Sequence, residues 1–203
     1  MKRVGIMGGT FNPIHNGHLI LAKEAYYQYD LDYVYVMPNK LPAYKNPSDI
    51  VDVIHRETMV RLAIREYPYM IYSELELNRG GKTYTIDTLR ELHLSYPDET
   101  YYFIMGGDSL ATLHLWYQYE EILQETAILC ARRDEQDTDA LYEVRKELLK
   151  VYPNAVIDFL DTPDIPISSS LLRKRIASGL DVSSWIPESV YHYIHEHHLY
   201  EHV

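Results

Sequence analysis

The chain has 203 residues, 46% hydrophobic and 24% charged, ordinary values for a globular fold long enough to bury a substantial core. With 19 Lys and Arg against 30 Asp and Glu, the net charge is −11, which argues against a nucleic-acid duplex or an anionic membrane as main partner, because phosphate backbones demand a basic face. A single cysteine, Cys130, excludes an intrachain disulfide and a multi-cysteine metal site, and no apolar run reaches membrane-spanning length. The N-terminus lacks a signal-peptide core, so the expected location is the cytoplasm. A small phosphorylated ligand remains compatible with an acidic chain, since backbone N–H groups and a few cations can hold it locally.

In chain order, Val4–Met7 reads as a buried strand and the stretch from about Gly17 to Tyr29 as a helix. Tyr33–Met37 is a second strand closed by Pro38, and Leu41–Ser48, with two prolines and no periodicity, is a loop. A helix is expected over about Asp49–Glu66, with Val53, Val60 and Ile64 at helical spacing and Pro68 beyond it. Met70–Leu75 is a strand, Thr85–Ser95 a helix, and Tyr101–Met105 a strand. Asp108–Leu123 is helical or two short helices. Ala127–Ala131 is a strand that holds Cys130, read as a buried structural thiol. Asp139–Val151 is a helix, Ala155–Leu160 a strand, and Ser168–Ser178 a short helix stopped by Gly179. The last helix runs from about Pro187 to Leu199. Strands that alternate with helices predict an α/β fold with a doubly wound, mainly parallel Rossmann-like sheet. The length suggests one domain over residues 1–203, with a small helical extension from about residue 165. Ligands of such sheets sit at the carboxyl ends of the strands, so the loops after Met7, Met37, Met105 and Ala131 should converge.

The densest segment is GGTFNPIHNGHL, Gly8 to Leu19. Gly8 and Gly9 let backbone approach an anion, Thr10 and Asn12 add short polar groups, and Pro13 stiffens the turn. His15 and His18 stand at i and i+3 where a helix begins, a position that favours negative charge. Phosphate binding suits this arrangement best. Acid–base catalysis by one histidine stays open, as do plain turn residues, whereas a zinc site lacks further ligands at recognisable spacing. Gly81-Lys82-Thr83 imitates the end of a P-loop, but the glycine required five residues earlier is Glu76. Ser168, Ser169 and Ser170, followed by Arg173, supply more hydroxyls than one helix cap needs, so the surplus can serve a second anion contact. His192, His195, His197, His198 and His202 crowd the last helix; a polar helix face explains them better than a metal site.

GGTFNPIHNGHL resembles the HxGH signature of the nucleotidyltransferases, and Ile167-Ser168-Ser169-Ser170-x-x-Arg173 resembles their second signature, with Ser170 in a threonine's place. The leading Gly-Gly-Thr-Phe is similar to that of the nicotinate-nucleotide adenylyltransferase family. So are Thr83-Tyr84-Thr85-Ile86-Asp87-Thr88-Leu89, Gly106-Gly107-Asp108-Ser109-Leu110 with Trp116 and Tyr117, and Ala131-Arg132-Arg133. The resemblance implies that Gly8, Gly9, Thr10, Phe11, His15, His18, Ser168, Ser169, Ser170, Arg173, Lys45 and Arg133 serve ATP and its phosphates, the two histidines being catalytic. It implies that Thr85 and the backbone near Tyr117 meet a nicotinate carboxylate, that Trp116 stacks on the pyridine ring, and that Asp108 contacts nucleotide ribose. Two departures stand out: Asn12, where relatives often carry Asp, and Tyr44, where relatives often carry His. The implied reaction joins ATP and nicotinate mononucleotide to deamido-NAD and pyrophosphate, with Mg²⁺ on the triphosphate and no resident protein-bound metal. Oligomeric state stays open, a homo-oligomer included.

Overall fold

The structure, a computed structural model, describes residues 1–40, 50–131, 135–163 and 166–201. Its strands are β1 Lys2–Gly9, β2 Tyr33–Pro38, β3 Met70–Tyr72, β4 Glu99–Gly106, β5 Ala127–Ala131 and β6 Ile157–Leu160. All pair in parallel, in the order β3-β2-β1-β4-β5-β6. The helices among the described residues are α1 Asn16–Gln28, α2 Val53–Ile64, α3 Leu75–Asn78, α4 Thr85–Ser95, α5 Gly107–Ala111, α6 Tyr119–Glu125, α7 Glu135–Val151, α8 Ser169–Ala177 and α9 Glu188–Glu196.

Alternation along the strands builds two cores. Val4 and Ile6 of β1, Phe103 of β4 and Ile128 of β5 face one side, where Ile86, Leu89, Leu110 and Ile122 from α4, α5 and α6 pack on them. Met7, Val34, Ile104 and Leu129 face the other, beneath residues of α1, α2, α8 and α9 such as Leu19, Met59, Leu172 and Ile194. Each fully buried side chain of this size contributes about 1.5–3 kcal/mol by leaving water. Cys130 belongs to the first core, and burial pushes its thiol up to about 12, so it is an inert structural residue.

The expected doubly wound parallel sheet is the observed one. α4 and β5 carry the expected bounds. α2 starts four residues later than expected, because the Asp52 carboxylate accepts from the Ile54 N–H and caps it there. The expected strand Met70–Leu75 ends at Tyr72, and Leu75 opens α3 instead. Asp108–Leu123 resolves into α5, a 3₁₀ turn at Leu113–Leu115 and α6, divided where Gln118 adopts φ 52°. α8 stops as expected. Gly179, at φ 67°, donates to Ile176 O, and Leu180 donates to Arg175 O, the pair of bonds that closes a helix on a left-handed residue. The expected loop Leu41–Ser48 lies outside the described residues. From β1 the chain winds first to β2 and β3, then returns to β4 on the opposite side of β1. The carboxyl ends of β1 and β4 therefore flank the crevice of this topology.

Candidate active site

A two-lobed cleft opens at those strand ends. The larger lobe encloses about 690 Å³ and the smaller about 410 Å³. Gly8, Gly9, Thr10, Asp108 and Trp116 line both, so the lobes share one wall made by the end of β1 and the start of α5. The sequence-expected residues divide between them. His15, His18, Ser168, Ser169, Ser170 and Arg173 line the larger lobe, together with Phe11. Thr85 and Tyr117 line the smaller. Lys45, Tyr44 and Arg133 lie outside the described residues.

Gly8 and Gly9 are the last residues of β1 rather than members of the turn, registered against Met37 and Pro38 of β2. A Cβ on Gly9 would stand 3.0 Å from the Phe11 ring, which folds back over it at φ 46° and is buried. A larger residue at position 9 would need the Phe11 ring to shift by a few tenths of an ångström.

Behind the turn, side chains engage its carbonyls. Arg56 donates to Thr10 O at 2.8 Å, Arg173 to Asn12 O at 2.9 Å, and the Ser169 hydroxyl to Pro13 O at 2.9 Å. The Asn12 side-chain oxygen accepts from the Tyr200 hydroxyl at 3.0 Å and from the Val51 N–H at 3.3 Å. The Gly8–Leu19 segment and the Ser168–Arg173 segment, separated by about 150 residues, are thus joined directly. Ser169 spends its hydroxyl proton on Pro13, so toward a ligand it can only accept. Ser168 caps α8 by accepting from the Leu171 N–H at 3.2 Å, which leaves its own proton to donate; its hydroxyl lies 3.1 Å from that of Ser170.

His15 is the N-cap of α1 and is buried. Its backbone N–H donates to His18 Nδ1 at 3.2 Å, and the two imidazoles stack with centroids 3.7 Å apart. Nδ1 of His18 is therefore an acceptor, and the proton of a neutral ring sits on Nε2. A helix N-terminus and an imidazole whose Nε2 carries the proton thus stand at one lobe wall, an arrangement that favours negative charge.

In the smaller lobe Trp116 follows the 3₁₀ turn, and its indole is braced edge-on by Phe103 at 6.0 Å and 89°. Tyr84 and Tyr117 meet at 4.8 Å, beside Thr85, the first residue of α4. The glycines of Gly80-Gly81-Lys82 follow α3 rather than a strand, so this segment is no P-loop.

Two residues near the cleft escaped the sequence reading. Arg56 stands on the apolar face of α2, three residues after Val53 and four before Val60, and a charge in such a stripe was the available signal. Glu76, on α3, is 5% exposed and lines the smaller lobe; its four-residue helix gives no periodic signal. Glu76 Oε1 accepts from the Thr88 hydroxyl at 2.8 Å, which also receives a bond from Arg79 at 3.0 Å. Burial pushes its carboxyl up to about 7, the Thr88 hydrogen bond and Arg79 opposing the rise. A carboxyl raised in the folded state holds its proton longer there than in the unfolded chain. Stability therefore falls as pH rises from about 4.5 to about 7 and levels off above. At about 1.4 kcal/mol per unit, up to about 3 kcal/mol is involved. Urea unfolding of the parent and Glu76→Gln at pH 5 and pH 8 checks this: the variant should gain on the parent at pH 8. An equal difference at both pH values would remove Glu76 as the source.

Among the described residues no group of three or more His, Cys, Asp or Glu could hold a metal, and no helix is long and apolar enough to cross a membrane. His55 accepts or donates at Tyr193 Oη (3.0 Å) and lies 5.3 Å from the His197 ring, while His198 pairs with Glu201. His202 lies outside the described residues.

The sequence model of the cytidylyltransferase-like family matches residues 6–175. The chain is 44% identical over 200 residues to a probable nicotinate-nucleotide adenylyltransferase of Lachnoclostridium phytofermentans, covering 98% of this chain and all of that one. It is 35% identical over 201 residues to the nicotinate-nucleotide adenylyltransferase of Bacillus subtilis, covering 99% and 100%. Two structures of Plasmodium falciparum nicotinic acid mononucleotide adenylyltransferase, complexed with APC and with NaAD, share its fold at a TM-score of 0.78. They cover 100% of this chain and 99% of theirs, at 22% and 23% identity. With a family match across the β1 turn and the α8 serines, and relatives aligned end to end, the chain belongs to the cytidylyltransferase-like nucleotidyltransferases and, among them, to the nicotinate-nucleotide adenylyltransferase family.

Proposed function

We propose that this chain transfers the adenylyl group of ATP to nicotinate mononucleotide, giving deamido-NAD and pyrophosphate. The observation that carries the reading is the shared wall: a phosphate-type lobe and an aromatic lobe meet at Gly8–Thr10, Asp108 and Trp116. Two nucleotides bound one per lobe would present their phosphates to each other at that wall. A mononucleotide phosphate oxygen attacks the α-phosphorus of ATP, the new P–O bond forms in line, and the bond to the β-phosphate oxygen breaks as pyrophosphate leaves. The acceptor supplies the nucleophile, so the protein's part is positioning and charge stabilisation.

In this reading His18 Nε2–H and the N-terminus of α1 receive the departing phosphates, with His15 stacked behind. Ser168 donates, Ser170 adds a hydroxyl, and Arg173 supplies a cation while holding the turn by its Asn12 bond. Trp116 stacks on the pyridine, Thr85 and the Tyr117 backbone meet its carboxylate, and Asp108 meets ribose. The Asn12 amide, buried and already accepting from Tyr200 and Val51, works as a neutral brace. Magnesium fits as a companion of the triphosphate, since the larger lobe offers Asp108 as its one carboxylate among the described lining residues; when bound it would neutralise phosphate charge.

Pyrophosphate release tests the reading on purified protein with ATP and magnesium. The expected result is a higher kcat/KM for nicotinate mononucleotide than for nicotinamide mononucleotide. The reverse order overturns the substrate, and ATP binding without turnover of any mononucleotide makes the protein a nucleotide sensor.

A further inference from the structure

Arg56 is 1% exposed and lines neither lobe. Among the described residues, all four hydrogen bonds of its guanidinium go to backbone carbonyls. Nη1 donates to Thr10 O and to Asn39 O, each at 2.8 Å, Nη2 to Lys40 O at 3.3 Å, and Nε to Val51 O at 3.2 Å. These acceptors come from three segments: the turn after β1, the chain leaving β2 and the approach to α2. Among the described residues no carboxylate forms an ion pair with it; Asp52 and Tyr200 act on it only through space. Burial lowers its pKa, yet a guanidinium keeps its charge at any pH a protein survives.

Such a residue is costly. A buried ion without a counter-ion loses its hydration, and bonds to neutral carbonyls restore only part of it. An apolar side chain would continue the stripe of Val53 and Val60. The geometry suggests what the charge does. The peptide between Thr10 and Phe11 is planar, so fixing its C=O on Arg56 turns its N–H the opposite way. That N–H belongs to Phe11, a residue lining the larger lobe. A second positive group, Arg173, holds the next carbonyl but one.

We infer that Arg56 is a positioning residue for the triphosphate: it clamps the phosphate turn to the chain leaving β2 and aims the Phe11 N–H at the anion. The inference rests on the reading of the larger lobe as the ATP lobe. Arg56→Met removes both fork and charge, while Arg56→Lys keeps the charge and loses the fork. Binding of a non-hydrolysable ATP analogue and of nicotinate mononucleotide is measured separately by calorimetry on full-length protein. The expected Kd for the analogue rises about 10–100-fold in Arg56→Met and about 3–10-fold in Arg56→Lys, the loss of hydrogen bonds from a charged donor. The Kd for the mononucleotide changes several-fold less than that for the analogue, because Phe11, whose N–H Arg56 aims, lines the larger lobe and not the smaller, while Arg56 meets the smaller lobe's Thr10 and Asn39 only at their backbone carbonyls. Unchanged analogue binding in both variants, or equal weakening of both ligands, overturns the inference and leaves Arg56 a general prop of the fold. Should the methionine variant fail to fold, the lysine variant decides alone by the same split between ligands. A parent that binds the analogue but adenylylates nothing overturns the proposed function and leaves this inference intact.

Discussion

His18→Ala is expected to lower kcat by about 10²–10³-fold, the cost of removing one preorganised donor to a charge that grows in the transition state. The lost atom is Nε2, whose proton is fixed there because Nδ1 accepts the His15 N–H. Much of the effect should fall on kcat rather than on the KM for ATP, since negative charge builds on the bridging oxygen only as the bond breaks. The fold should survive. His18 sits in the first turn of α1, partly exposed, and the substitution releases the His15 N–H, the stack on the His15 ring and an edge contact to Phe11, together worth about 1–3 kcal/mol. Steady-state kinetics with circular dichroism on the same samples checks both parts. Turnover within tenfold of the parent would remove His18 from the chemistry.

Trp116→Ala carries the second large effect, and it is of the opposite kind. The indole lines both lobes, braced by Phe103, and contributes an aromatic face where the pyridine is proposed to lie. Loss of a base–aromatic stack costs about 1–3 kcal/mol, so the KM for nicotinate mononucleotide should rise roughly 5–150-fold. The KM for ATP should move far less. The same splitting of constants separates ligand contact from core packing: a Trp116 that only anchored the fold would lower thermal stability and leave the mononucleotide KM where it was.

Much of the fold and site was legible because local chemistry encodes it. A strand running into glycines, a proline and two histidines at i and i+3 announces a strand-to-helix turn that favours anions. Thr85–Ser95 has one apolar stripe, Ile86, Leu89 and Leu92, and its bounds followed. The expected strand Met70–Leu75 runs into α3 at Leu75, because the four residues of Leu75–Asn78 are too few to show a period. The break before α6 depends on Gln118 at φ 52°, a conformation its sequence does not demand. Arg56 and Glu76 were missed for a different reason. Their partners are carbonyls and hydroxyls from 5 to 46 residues away, so beyond the charge that Arg56 places in an apolar stripe nothing along the chain names those partners.

The bond from Tyr200 to Asn12 has a consequence for synthesis. These residues are 188 positions apart. Asn12 leaves the ribosome 188 residues ahead of its brace, which arrives only when translation has run to Tyr200. A chain cut before Tyr200 would therefore carry the whole Gly8–Leu19 segment with its turn lacking that brace.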